Sequence, residues 1–322
     1  MIDLAIDCPL VRCIQSEYYL KETGTVVELV DHHKRILNHV FTVNEDGELP
    51  YRNIVLSMPK KSAKTELAAM VAYGFARTFG GNVYSIANDI EQSKSRLFDR
   101  VQENFLLMQQ RSPELLREVL GREVFVKRGQ QIDFADNGQR NPGPHWLRYI
   151  ASDYAGEAGG MPALTVFDEL WAFRSDAAVR LWVEMQPIPN LPYSCRLTTT
   201  YAGWYGESHL LWNIYDEVVK PDPYDPMRKH GTLVPGLEDL PCYQDGQYFV
   251  YWDHEARMPW HTPAFLEDAR KDPSLKGRES EYRRIWRNEW TTGEEAFLSM
   301  EVIEAAIERG RTAGLVNHMA NW

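Results

Sequence analysis

The sequence predicts an α/β fold with a mainly parallel central sheet, because short apolar runs alternate with stretches of helical periodicity. Asn53 to Ser57 (NIVLS) is a run of the kind that forms a buried parallel strand. From Lys64 onwards, apolar residues recur every three or four positions, which predicts a helix with one face against the sheet. Gly80 and Gly81 are suited to end that helix. The first unit is therefore strand, loop, helix.

Similar units follow along the chain. Val83 to Ala87 predicts a second strand, and the helix after it, with Asp89 as its cap, would bury Leu97, Val101, Phe105 and Met108. Later strand candidates are Leu164 to Asp168 and Cys195 to Thr200, with helices predicted near 176–185 and 207–219. Residues 124–135 and a strand from Trp146 are interpreted as a small antiparallel insertion.

The chain divides, on this interpretation, near residue 220. A stretch rich in proline and acidic residues begins there, which is typical of loops. Residues 1–220 are predicted to form the α/β domain, with an accessory segment of about 45 residues at its start. Residues 221–322 are predicted to form a smaller, mainly helical linker or lid, with helices at 263–271, 279–290 and 300–310.

Composition and charge limit the class of protein. The chain has 322 residues, 44% hydrophobic and 25% charged, which is the profile of a soluble globular protein. A formal net charge of -11 argues against an overall basic surface for nucleic acid, although a local basic patch remains compatible with it. Four cysteines without paired spacing predict neither a disulfide framework nor a structural zinc site. The acidic N-terminus and the lack of a long apolar run predict neither signal peptide nor membrane span, so an intracellular protein is expected.

The loop after the first strand carries the strongest chemical signal. Phosphate-binding loops follow G-x-x-x-x-G-K-[ST], in which backbone amides surround phosphate, lysine reaches the terminal phosphates and the hydroxyl holds magnesium. Residues 58–65 (MPKKSAKT) keep Lys64 and Thr65 at the start of a helix but have Met58 and Ala63 in the two glycine positions. The alternative interpretation is a surface loop with three solvated lysines. The candidate nucleotide-binding residues are Lys60, Lys61, Ser62, Ala63, Lys64 and Thr65.

Two further strand ends fit the same chemistry. Asp168 and Glu169 follow an apolar strand, where one carboxylate can hold magnesium and the other can orient an attacking water. Thr198, Thr199 and Thr200 end another strand at the sheet edge where ligands of open α/β folds bind. Each signal has an ordinary structural alternative. The acidic pair can be solvated or cap a helix at the end of its strand, and the threonines can simply belong to a β-strand that ends in a turn. Their combination favours a P-loop nucleoside triphosphatase.

In order and spacing, the three segments resemble the ATPase domain of tailed-bacteriophage terminase large subunits. PKKSAKTEL, TVFDEL and TTTYAG are similar to that family's Walker A, Walker B and coupling motifs. ANDIEQSKSRLF, SDYAGEAGGMPALTVFDE and RIWRNEWTTGEEAFLS resemble its flanking segments, so that the likeness extends over roughly residues 50–300. Walker A loops of this family are commonly degenerate and carry an early basic residue, a part that Lys60 or Lys61 could play.

The resemblance implies a motor that hydrolyses ATP with Mg²⁺ and drives double-stranded DNA into a preformed capsid. Lys64 would bind the β- and γ-phosphates, Thr65 and Asp168 would hold magnesium, and Glu169 would activate water. Thr198, Thr199 and Thr200 would couple hydrolysis to movement. The implied partners are a portal protein and a terminase small subunit. The implied setting is the cytoplasm of an infected bacterial host, where the chain forms a homo-oligomeric ring on the capsid and can be monomeric alone.

Such ring motors take an arginine from a neighbouring subunit to stabilise transition-state charge. Arg128, Arg140 and Arg148 lie in the matching interval, and Arg148 is the candidate favoured here, with a plain surface role as the alternative for each.

The resemblance also implies an RNase H-like nuclease domain in complete large subunits, and this sequence stops where that domain would begin. We expect a piece of a longer protein rather than a separately encoded nuclease, and no nuclease activity in this chain.

Two other functions stay open. One is a P-loop DNA translocase unrelated to packaging. The other is a degenerate P-loop protein that acts as an assembly scaffold on DNA or a portal, with little or no hydrolysis.

Overall fold

A computed structural model describes residues 7–87, 97–127, 129–151, 161–220, 231–293 and 300–313 of the chain. The strands are β1 (Asn53–Ser57), β2 (Asn82–Ala87), β3 (Gln131–Phe134), β4 (His145–Ala151), β5 (Pro162–Asp168), β6 (Cys195–Thr200), β7 (Thr232–Leu233), β8 (Cys242–Asp245) and β9 (Tyr248–Trp252). The helices are α1 (Pro9–Glu17), α2 (Asp31–Phe41), α3 (Lys64–Thr78), α4 (Asp99–Arg111), α5 (Pro113–Leu120), α6 (Asp176–Glu184), α7 (His209–Val218), α8 (Pro263–Arg270), α9 (Glu279–Trp286) and α10 (Met300–Thr312). None of these helices is long and apolar enough to cross a membrane.

Within the described residues the strands form one sheet in the order β3-β4-β2-β5-β6-β1-β9-β8-β7. Pairing is parallel from β4 through β9 and antiparallel only at the two margins. This confirms the predicted α/β fold with a mainly parallel sheet. The three strands that end in candidate site residues, β5, β6 and β1, are adjacent, so their carboxyl ends lie at the same edge.

Helices cover both faces of the sheet, and strand alternation assigns the apolar residues to two layers. Ile54 and Leu56 of β1 join the core formed with α1 to α5, whereas Val55 joins the core formed with α6 and α7. The N-terminal segment is part of the first layer, because α1 packs directly on α3. At Gly74 an added Cβ would lie 3.1 Å from Cγ1 of Ile14, so the small residue allows the two helices to approach closely.

The sheet continues beyond the predicted boundary at residue 220, and this part of the sequence prediction needs correction. β9 pairs with β1 in parallel register, from Asn53 opposite Tyr248 to Ser57 opposite Trp252. The expectation of a mainly helical region therefore missed β7, β8 and β9. The apolar run YFVYW, bounded by Gly246 and Asp253, had the character of a buried strand.

Two smaller predictions are also wrong in detail. The expected antiparallel insertion is not separate, since β4 pairs in parallel with β2 and only β3 is antiparallel to it. The helix expected to reach Trp290 ends at Trp286, and Asn288 adopts a left-handed backbone with φ of 52°. The predicted cap Asp89 lies outside the described residues.

Candidate functional site

The loop between β1 and α3 is left-handed at Ala63, the second of its two glycine positions. Ala63 precedes α3 with φ of 55° and ψ of 26°, and Lys61 has φ of 67°, both in the left-handed region. No side chain caps the N-terminus of α3. Its first amide groups are therefore oriented as in anion-binding loops, where the positive end of the helix dipole adds to them. Ser62 is buried, whereas Lys60 and Lys61 are exposed.

Lys64 lies inside the loop rather than in solvent. Its Nζ donates hydrogen bonds of 3.0 Å to the carbonyl oxygens of Met58 and Pro59 and lies 5.0 Å from the centre of the Tyr201 ring. Burial lowers the pKa of its ammonium group, and the neighbouring Glu169 and Asp168 carboxylates oppose that shift. The hydroxyl of the next residue, Thr65, bonds to Asp168, so the start of α3 lies beside the acidic pair.

Asp168 connects the loop to the neighbouring strand. Its Oδ2 accepts a hydrogen bond of 3.3 Å from Oγ1 of Thr65, and its Oδ1 accepts one of 2.8 Å from Oγ1 of Thr199. Asp168 is 2% exposed. A hydroxyl and a carboxylate from different elements thus converge, and both are oxygen donors of the type that Mg²⁺ prefers. The residues present fit a magnesium site at this position.

Glu169 follows with a left-handed backbone, φ of 59°, which turns the chain out of the strand. Its amide donates to the carbonyl oxygen of Thr199 at 2.7 Å, and its Oε2 accepts a hydrogen bond of 2.7 Å from the indole of Trp171. The carboxylate is therefore held in a defined direction beside the loop. Sequence reasoning identified Glu169 but not the tryptophan that bonds to it.

The three threonines of β6 do not share one environment. Thr199 faces the loop and Asp168, whereas Thr198 pairs with Phe167 and Val55 in the opposite apolar layer, where its buried hydroxyl has no hydrogen-bond partner. The hydroxyl of Thr200 bonds to the backbone of Tyr201 and accepts from the amide of Trp171. Only Thr199 of the three contacts the candidate metal ligands directly, because side chains alternate along a strand.

A cavity of about 950 Å³ opens from this site towards the N-terminal segment. Its lining includes the loop lysines, Thr65 and Glu169. It also includes apolar side chains of the accessory segment, of α3 and of the chain after β9, namely Val27, Leu29, Met70, Met258 and Trp260. Charged side chains of the accessory segment, α3 and α4 line it as well, namely Glu22, Glu28, Glu66 and Arg100. The sequence signals did not indicate these contributions from distant segments.

The C-terminal segment also reaches the site, which sequence reasoning missed. The amide of Lys60 donates to the carbonyl oxygen of Ile285 in α9 at 2.6 Å, and the indole of Trp260 donates to the carbonyl oxygen of Lys61 at 2.9 Å. Arg284 of α9 is 3% exposed, and its guanidinium lies against the rings of Trp171, Tyr201 and Trp204.

The candidate arginines lie elsewhere. Arg148 is in β4, where its guanidinium donates to Oε1 of Gln131 and lies over the Trp146 ring. Arg140 lies over the rings of Phe79 and Tyr193. Arg128 lies outside the described residues. The structure brings neither Arg140 nor Arg148 to Lys64 within one chain, so a role for either in trans remains a prediction.

Comparison with solved structures identifies the fold. The crystal structure of the HK97 bacteriophage large terminase superposes with a TM-score of 0.57, over 90% of this chain and 56% of that chain, at 13% identity. The chain has the fold of a phage large terminase. It spans little more than half the length of the HK97 protein. The ATPase domain of the large terminase of Thermus phage P74-26 aligns with 74% of this chain and 89% of that one, at 15% identity and a TM-score of 0.47. No family model and no curated protein sequence matches the chain.

Proposed function

We propose that this chain is the ATP-hydrolysing motor domain of a viral terminase large subunit that moves double-stranded DNA into a procapsid. The observation that carries the proposal is the meeting of three strand ends. Lys64 and Thr65 of the loop, Asp168 and Glu169 of β5 and Thr199 of β6 lie together at one sheet edge. This is the arrangement that phosphoryl transfer requires.

The cavity offers a nucleoside triphosphate both cationic and apolar side chains. The phosphates would lie at the uncapped N-terminus of α3, where Lys60, Lys61 and Lys64 supply positive charge. Apolar side chains of the accessory segment and Trp260, which also line the cavity, would contact the base. Lys64 would exchange its bonds to Met58 and Pro59 for phosphate oxygens, a change from neutral acceptors to charged ones.

Thr65 and Asp168 would hold Mg²⁺, which neutralises phosphate charge when bound. Thr199 orients the Asp168 carboxylate through its 2.8 Å hydrogen bond. Glu169 would accept a hydrogen bond from water and direct its oxygen at the terminal phosphorus, opposite the bond that breaks. The buried Lys64 ammonium stabilises the charge that develops on the phosphate oxygens, and burial strengthens that interaction.

DNA, a portal protein and a terminase small subunit would be the partners, and a ring of identical subunits on the capsid would be the working assembly. The fold shared with the HK97 large terminase supports these proposals. In such a ring Arg148 would complete a neighbour's site. Assembly would take place in the cytoplasm of an infected host cell.

The test is release of phosphate from ATP and magnesium by the purified chain. We expect turnover by the wild type, and loss of turnover in Lys64→Ala and Glu169→Gln by about a hundredfold or more. Lys271→Ala removes a lysine whose side chain is 69% exposed and pairs with Glu267 within α8 and its cap, and it serves as the matched control. It should leave the rate unchanged.

Binding of a fluorescent ATP analogue separates the alternatives. A wild type that binds the analogue and equals Glu169→Gln in phosphate release would favour the non-hydrolysing scaffold. Turnover without any DNA movement, measured with procapsids and the complete assembly, would favour another kind of translocase.

A further inference from the structure

We infer that Trp171 is a positioning residue that holds the Glu169 carboxylate, and that Arg284 of α9 sets the position of Trp171. The inference rests on the proposed hydrolysis and assigns part of its control to the C-terminal segment. Neither residue lies in the three motifs, although Arg284 opens the flanking segment RIWRNEWTTGEEAFLS.

The contact with Glu169 is direct. Trp171 lies in a single turn of 3₁₀ helix, Leu170–Ala172, immediately after Glu169. Its indole nitrogen donates to Oε2 of Glu169 at 2.7 Å, and its amide donates to Oγ1 of Thr200 at 3.3 Å. An N–H donor to a charged carboxylate is among the stronger hydrogen bonds in proteins, and its direction defines where the carboxylate points.

The indole ring is in turn fixed from several sides. Tyr201 stacks on it with ring centres 5.6 Å apart and planes inclined by 28°. The guanidinium carbon of Arg284 lies 4.4 Å from the ring centre, and that of Arg174 lies 5.3 Å from it. Cations over an indole face are favourable, and more so when they are withdrawn from water.

Arg284 is the buried member of this pair. Its guanidinium donates hydrogen bonds to both carboxylate oxygens of Glu281, at 3.1 and 2.8 Å. It also donates to the carbonyl oxygen of Ala202 at 3.3 Å. Each of these bonds fixes the planar group in one orientation against Trp171. The position of the indole therefore depends on where α9 lies.

The same helix contacts the phosphate loop, because the Ile285 carbonyl oxygen accepts from the amide of Lys60. One short helix thus touches the loop that would hold phosphate and, through Trp171, the carboxylate that would direct water. A displacement of α9 would move both halves of the site together. This makes α9 a route by which the C-terminal part of the protein can control hydrolysis.

The test compares Trp171→Phe with Trp204→Phe in steady-state ATP hydrolysis by the full chain. Trp171→Phe keeps an aromatic ring against Arg284 but removes the donor to Glu169. We expect kcat to fall by about tenfold to a hundredfold, with KM and the dissociation constant of the ATP analogue within about twofold of wild type. Trp204 lies 4.5 Å from the same guanidinium, so Trp204→Phe perturbs the same cluster and should retain kcat within about twofold.

Arg284→Lys and Arg284→Met extend the test to the helix. The methionine variant should lower kcat as Trp171→Phe does, and the lysine variant should recover part of it, since lysine keeps the cation but not the planar bonds. Unchanged kcat in Trp171→Phe, or equal losses in Trp171→Phe and Trp204→Phe, would overturn the inference while leaving the proposed hydrolysis intact. No hydrolysis by the wild type would overturn both. If Arg284→Met does not fold, the tryptophan pair decides alone.

Discussion

At the scale of single residues, Ala63 shows how the loop adopts a left-handed backbone without glycine. The left-handed conformation costs a residue with a Cβ about 1–2 kcal/mol relative to the right-handed one. Ala63 adopts it with φ of 55° because the chain must turn there to begin α3. The missing glycine therefore leaves the loop shape intact and lowers stability instead.

Ala63→Gly should raise the free energy of unfolding by about 0.5–1 kcal/mol, because glycine has no penalty at positive φ and loses only backbone entropy. Urea unfolding measures this change. Phosphate release should persist in the variant, since the loop backbone stays the same.

The control for Ala63→Gly is Ala306→Gly, at an exposed position in the interior of α10. There glycine should lower the free energy of unfolding by up to about 1 kcal/mol, because it is a poor helix former. A loss at both positions would contradict the strain assigned to Ala63.

At the scale of elements, Asn288 connects three strand ends to the C-terminal segment. It is fully buried, and its Oδ1 accepts from the Ser57 hydroxyl at 2.9 Å and from the Ala202 amide at 2.6 Å. Its Nδ2 donates to the carbonyl oxygen of Asp253 at 2.9 Å. These partners follow or end β6, β1 and β9, so one side chain joins the strands beside the loop of residues 58–65.

Asn288→Ala should lower the free energy of unfolding by about 3–4 kcal/mol, because it leaves buried polar partners unsatisfied and places a Cβ residue at positive φ. Asn288→Gly loses the same side-chain hydrogen bonds, but glycine adopts a positive φ without strain. Its loss in the free energy of unfolding should therefore be about 1 kcal/mol smaller than that of Asn288→Ala. Urea unfolding of the two variants side by side gives the difference. Equal losses would show that the left-handed backbone at Asn288 contributes no strain.

At the scale of the whole molecule, the order of the strands separates Arg148 from the loop of its own chain. β2, β5 and β6 lie between β4 and β1. The Arg148 guanidinium donates to Gln131 of β3, at the margin of the sheet. A role of Arg148 at Lys64 is therefore proposed between two copies of the chain.

Mixing variants tests that proposal. Arg148→Ala and Lys64→Ala should each lack activity, the first because it offers no arginine to a neighbour and the second because its own site is damaged. A mixture should regain phosphate release, since a Lys64→Ala subunit can supply Arg148 to an Arg148→Ala subunit. Wild-type turnover should also rise more than linearly with protein concentration.

Arg140→Ala is the control, because Arg140 is the other candidate arginine among the described residues. If Arg148 acts in trans, Arg140→Ala should keep phosphate release on its own. An Arg148→Ala variant with wild-type turnover at every concentration would remove Arg148 from the site.

The local sequence pattern was sufficient to predict the bounds of most strands and helices near the site. β1 and β6 have the bounds that the sequence predicts, Asn53–Ser57 and Cys195–Thr200, because buried parallel strands are continuous apolar or β-branched runs. The start of α3 at Lys64 also agrees, since helical periodicity begins there. β9 was missed because its aromatic run follows a proline-rich stretch that favoured a loop interpretation.

The candidate site was predictable only in part, for a related reason. Lys64, Thr65, Asp168 and Glu169 belong to short patterns whose residue types point to phosphate chemistry on their own. Trp171, Arg284 and Asn288 belong to no such pattern. Arg284 and Asn288 act through contacts with distant segments, as in the bond of 86 positions' separation from Ala202 to Asn288. Trp171 is only two positions from Glu169, but its indole lies against Arg284 of a distant segment.

The sequence by itself determined the α/β class, the order of strands and helices around the phosphate loop and the identity of the residues at the strand ends. These properties depend on periodicity and side-chain chemistry over fewer than about 15 residues. The tertiary structure decided which strands are neighbours, that β9 completes the sheet beyond residue 220, and that α9 returns to touch Lys60 and Trp171. Those outcomes depend on how distant apolar surfaces pack, which no local pattern specifies.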